Sequence, residues 1–113
     1  MSIVDQKAEQ LLQAALAADN GRQAKLLVND GPLRQTVIAL KAGTRLQEHN
    51  SPPAASLFLL SGRVTVTGQE VTEVEEGELV ALTHHRHSVT ADSDSVFLLT
   101  TVTGVEGLDS HSE

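Results

Sequence analysis

Residues 33–66 read LRQTVIALKAGTRLQEHNSPPAASLFLLSGRVTV, and this stretch decides the fold class. Two aliphatic runs, Leu33–Leu40 and Ser56–Ser61, are separated by Ala42-Gly43 and Ser51-Pro52-Pro53. Ser61-Gly62 then turns the chain into a third run, Arg63–Thr67. Short branched-aliphatic runs bounded by Gly, Pro, Asn and Ser are strand signals, because those breakers set turn geometry while Val, Ile and Leu pack on a pleated surface. Leu57–Leu60 is apolar at every position, which predicts a strand covered on both faces.

The same texture extends outward. Ala24–Val28 precedes the stretch, and Glu70–Val74, Leu79–Leu82, Ser88–Ala91 and Val96–Val102 follow it. Breaks fall at Asn29-Asp30-Gly31-Pro32, Gly68, Gly77 and Asp92-Ser93-Asp94. Many short, evenly spaced strands predict an all-β sandwich or barrel. Upstream, Val4, Ala8, Leu11, Leu12, Ala15 and Leu16 recur at helical spacing, so Ile3–Ala18 reads as an α-helix stopped by Asn20-Gly21. Its Leu/Ala face is expected to lie on the following domain; docking a partner is the alternative. The 113 residues fit one domain: a helix over 1–20 packed on a barrel over 22–103, then a polar, acidic segment over 104–113 expected to be disordered.

Composition excludes several functions. The net charge is −7 with no Lys/Arg run, so phosphate backbones and anionic membranes are poor partners. Phe58 and Phe97 are the only aromatic residues, which removes the usual stacking platform for bases. The absence of cysteine removes disulfides, thiolate metal ligands and cysteine nucleophiles. Met1–Asn20 lacks the pattern of a signal peptide, and no apolar run reaches the ~20 residues of a membrane span, so a cytoplasmic protein is expected. Glu70, Glu73, Glu75, Glu76 and Glu78 form an acidic ribbon suited to an outer, solvated face that resists edge pairing. Arg45 and Glu48 read as solvated charges at a strand end. Ser51 and Ser56 near His49 lack nucleophile-elbow spacing, so serine catalysis is not expected.

Leu33–Val102 resembles the cupin superfamily, in its small single-domain bacterial (RmlC-like) form. Gly43 is followed after five residues by His49, and Gly62 closes the segment, in the order of the first cupin motif. In EEGELVALTHHRHSVTA, residues 75–91, Gly77 and His87 fall at the start and the ligand position of the second. The resemblance implies a cupin-type β-barrel (double-stranded β-helix, or jelly roll) and, in the family at large, a bound metal. Four places would supply the ligands. His49 and His87 keep two; Ser51 stands at the second His, and Ala55 at the Glu (Ala54 with a loop one residue shorter). Thr83 replaces the Pro of the second motif, and the loop before His87 is one residue short of the commonest spacing.

Three functional readings remain open. The first is a small-molecule binder with a degenerate metal site, its pocket formed by His49, Ser51 and His87, with Leu40, Phe58 and Leu60 as candidate walls. The second is a metal-dependent oxygenase, isomerase or lyase with a rebuilt site, in which His85 and His87, sharing a face if the loop Thr83–His87 is extended, bind together with His49. Imidazole ligands suit a divalent transition metal such as Zn, Ni, Mn or Fe. His84 is expected on the solvent rim. The third is a structural module that dimerises through strand edges or the helix; a homodimer is the expected assembly. The balance leans away from an enzyme.

Overall fold

The computed structural model describes residues 3–47, 54–68, 70–82 and 87–102. Among these, one helix precedes nine strands: α1 (Ile3–Ala17), β1 (Arg22–Asp30), β2 (Leu33–Leu40), β3 (Arg45–Gln47), β4 (Ala54–Ser61), β5 (Arg63–Thr67), β6 (Val71–Glu75), β7 (Leu79–Ala81), β8 (Ser88–Ala91) and β9 (Ser95–Val102). The strands form two antiparallel sheets, of order β1-β2-β9-β4-β7 and β3-β8-β5-β6. This is the all-β barrel with an N-terminal helix that the strand spacing predicts. The segment 104–113, expected to be disordered, lies outside the described residues.

Alternation sorts the aliphatic side chains between two cores. Ile38 and Leu40 of β2, Leu57 and Leu59 of β4 and Phe97 of β9 point inward, where they meet Val64, Val66, Val74, Val89 and Ala91 of the other sheet. The intervening residues Val37, Ala39 and Val96 point outward and are sealed by Ala8, Leu11, Leu12 and Ala15 of α1. β2 is therefore buried on both faces over Val37–Leu40. In β4, Leu57 and Leu59 enter the barrel, while Leu60 joins the helix-side cluster. The expectation of two covered faces is met there at Leu60, whereas Phe58 stays half-buried on the outer face and joins neither cluster.

Gly21 closes the helix with φ 69°, and its N–H donates to the Ala18 carbonyl at 3.1 Å. At one end of the barrel the connections are tied across sheets. The Ala42 N–H donates to Asp94 Oδ1 (2.8 Å), Gly43 N–H to the Ala91 carbonyl (2.8 Å), and Arg63 N–H to Ser93 Oγ and Ser95 Oγ (3.0 and 3.1 Å). Thr65 Oγ1 donates to Asp92 Oδ2 at 2.6 Å. At the opposite end, β3 finishes at Gln47, β4 begins at Ala54, β7 gives way to Leu82, and β8 begins at Ser88. Registers Gln47↔Ser88 and Ser56↔Ala81 bring these strand ends to that same end.

Candidate functional site

β3, which the sequence pattern does not announce, does most to position the site. Its three residues pair with β8 as Arg45↔Thr90, Leu46↔Val89 and Gln47↔Ser88. Paired residues share a face, so Leu46 turns with Val89 toward the interior core, while Arg45 and Gln47 turn outward with Thr90 and Ser88. Arg45 is exposed, as expected of a strand-end charge, but it is not merely solvated: its Nη2 donates to Ser88 Oγ at 3.2 Å across β8, and Ser88 is buried.

His87 immediately precedes Ser88 and is half-buried. Ser88 points outward and Val89 inward, and His87 stands just before this strand, at the end where β3 finishes and β8 begins. His49, Ser51, His84 and His85 lie outside the described residues, as do Glu48 and Thr83. Of the candidate pocket (His49, Ser51, His87) and the candidate metal set (His49, His85, His87), the structure therefore describes His87 alone. Among the described residues, no three His, Asp or Glu side chains come together as metal donors.

Ala55, which the cupin resemblance sets at the carboxylate place (Ala54 with a loop one residue shorter), is described. It sits on β4 opposite Thr101 and packs against the interior cluster beside Leu57. Its methyl group thus faces the barrel interior. Neither Ala54, Ala55 nor Ser51 can supply the carboxylate or second imidazole that the resemblance would place there.

The candidate walls need correction. Leu40 is fully buried in the barrel core. Phe58 and Leu60 face outward, away from the pocket, because Leu57 and Leu59 take the inward positions on the same strand. The residues that do line an opening come from elsewhere. β1 edges one sheet and β3 edges the other, and between them lies a cavity of about 390 Å³ lined by Asn20, Arg22, Gln23, Ala24, Ile38 and Leu46. Ile38 and Leu46 belong to the interior side, so among the described residues the apolar interior of the barrel reaches solvent here. Ala24 pairs with Ile38 and extends the apolar floor, while Asn20, Gln23 and the exposed Arg22 supply polar groups. Sequence reading misses this seam because β1 looks polar at its start and Leu46 is a single apolar residue among polar neighbours.

No protein-family model matches the sequence, and neither does any curated protein. Solved structures do match. A conserved protein of unknown function from Streptococcus pyogenes is 28% identical, with a TM-score of 0.69 over 78% of this chain and 79% of that one. A cupin superfamily protein from Desulfitobacterium hafniense has a TM-score of 0.69 at 12% identity, covering 77% of this chain and 82% of that one. A salicylate 1,2-dioxygenase from Pseudoaminobacter salicylatoxidans, a mutant form solved in complex with gentisate, reaches 0.73 at 18% identity over 86% of this chain. This chain spans 32% of that enzyme's length.

Proposed function

We propose, for a chain that has the fold of a small cupin, that it binds a small molecule within its barrel and does not depend on the four-ligand metal centre of the family. The observation that carries this reading is the opening between β1 and β3. Its volume of about 390 Å³ lies in the range of small-ligand sites, and an apolar floor with a few polar groups is their usual lining. His87, half-buried just before β8, is not among the residues lining this opening; its imidazole, able to donate or accept a hydrogen bond, would have to be reached from the strand ends near Gln47 and Ser88. Ala55 in place of a carboxylate argues against the family's metal chemistry.

The test joins elemental analysis of the untagged protein with thermal unfolding against a panel of small polar metabolites. We expect sub-stoichiometric metal and at least one compound that raises the melting temperature by mass action. That rise should vanish in Leu46→Trp, which fills the opening. A stoichiometric metal that survives dialysis and is lost in His49→Ala would overturn the reading.

In that event the second reading takes its place: a metal-dependent enzyme with a rebuilt His49, His85, His87 set holding Zn, Ni, Mn or Fe. The likeness in fold to a dioxygenase solved with gentisate favours it as the alternative.

A further inference from the structure

Among the described residues, only half of the outer face of the five-stranded sheet is covered. α1 lies over β1 and β2 and reaches β9. Five strands about 4.8 Å apart make a face about 20 Å wide, whereas a helix with its side chains is about 10 Å across. One helix therefore leaves room for a second beside it, over β4 and β7.

That open half is apolar. Cross-strand pairing sets Leu79, Phe58 and Leu98 side by side in one outward row that continues to Val37 beneath α1. Val37 is fully buried by the helix, Phe58 is half-buried, and Leu79 is 67% exposed, so the row emerges from cover strand by strand. Beside the row, a groove of about 270 Å³ runs between α1 and β4, floored by Ala8, Leu12, Leu60 and Val96. β4 contains no charged residue. The border is acidic: Glu9 lines the groove on the α1 side, and Glu76 and Glu78 on the turn before β7 are exposed. The half-buried Lys7 is the only cation in the α1 sequence.

We propose that β4, β7 and the flank of α1 form a docking surface for a basic, amphipathic helix of another protein, which would lie beside α1 and complete the helical layer. Charge selects this occupant. A second copy would bring two sets of Glu9, Glu76 and Glu78 together on chains that each carry −7. The chain's own 104–113 stretch has Glu106, Asp109 and Glu113 and no Lys or Arg, so its charge opposes the same border. A helix with an apolar stripe and flanking Lys or Arg satisfies both the apolar row and the carboxylates.

The probe is a synthetic amphipathic Leu/Lys helical peptide, labelled for anisotropy and titrated with the full chain. Its control is a Leu/Glu peptide with the same apolar stripe. We expect saturable, salt-sensitive binding of the Lys peptide and none of the Glu peptide. Leu79→Asp should weaken binding roughly tenfold or more. Val71→Asp adds the same charge at an equally exposed residue (69%) on the other sheet and should leave binding unchanged. Far-ultraviolet circular dichroism checks that both variants fold. Equal binding of the two peptides, or equal effects of the two substitutions, would overturn the proposal. So would a dimer that Leu79→Asp dissolves in sedimentation, which makes a second copy the occupant. Tighter peptide binding after Val105→Ser with Leu108→Ser would assign the surface to the chain's own terminal segment and likewise overturn it.

Discussion

Gly62 lies against Ser95 so closely that a β-carbon on Gly62 would stand 2.8 Å from the Ser95 Cα and nearer still to its Oγ and to the Asp94 carbonyl. The β4–β5 turn and the start of β9 are thereby locked together. Ser95, fully buried, adds hydrogen bonds to both the N–H and the carbonyl of Arg63.

Gly62→Ala and Gly43→Ala separate packing from backbone strain. The two glycines hold nearly the same positive φ, 91° and 88°, so an alanine brings a similar strain to each, roughly 1–2 kcal/mol. A β-carbon on Gly43 meets nothing within 4 Å, whereas Gly62→Ala must push against backbone. We expect Gly62→Ala to cost at least about 2 kcal/mol more in urea unfolding. Equal losses would show that the turn yields.

Ser95→Ala should cost only about 1 kcal/mol. The Arg63 N–H keeps Ser93 Oγ as acceptor, and the Arg63 carbonyl keeps the Asp92 and Ser93 N–H groups as donors. A loss above about 3 kcal/mol in the same unfolding measurement would mean that this redundancy does not operate.

The two phenylalanines should differ sharply. Phe97 is fully buried between the sheets, and Phe97→Ala is expected to cost about 3–5 kcal/mol. Phe58 sits half-buried on the open outer face, and Phe58→Ala should cost roughly 1–2 kcal/mol. A Phe58→Ala loss as large as that of Phe97→Ala would place Phe58 in the core and contradict the facing assigned to β4.

Metal binding should follow from supplying the two ligands that the cupin resemblance sets at Ser51 and Ala55. Ala55→Glu alone sets a carboxylate against the interior cluster and should lower the melting temperature. Combined with Ser51→His, it supplies a four-donor set. Ni or Mn should then raise the melting temperature of the double variant, by the equivalent of about 2.7 kcal/mol at a hundredfold excess over Kd. The wild-type chain should show no comparable rise. A wild-type response equal to that of the double variant would show that the present residues already hold the ion.

Much of the barrel is readable from residue pattern alone. β2, β5 and β8 begin and end where the runs Leu33–Leu40, Arg63–Thr67 and Ser88–Ala91 do. The helix stops one residue short of Ala18, and β6 runs Val71–Glu75 where the pattern predicts Glu70–Val74. β3 escapes detection because three residues with one apolar side chain leave no period. β1 extends two residues beyond each end of Ala24–Val28, since an edge strand with one free side pairs through its backbone without needing apolar residues. The facing of Phe58 and Leu60 is illegible for a physical reason: all four positions of Leu57–Leu60 are apolar, so alternation cannot say which pair looks inward. Of the histidine site, only His87 can be followed into the structure. The β1–β3 opening is assembled from residues far apart in sequence, and no local motif announces it.

The position of β9 in the sheet order bears on how the molecule is made. β9 lies between β2 and β4, so both of those strands complete their pairing only with residues about 35–70 positions further along the chain. Synthesis proceeds at about 5–20 residues per second, and closing such long loops is slow. Until Val102 has left the ribosome, β2 and β4 have no strand between them, and their aliphatic rows lack a partner. The nascent chain therefore passes through a sticky interval that lasts until β9 emerges, when a chaperone has the most to shield.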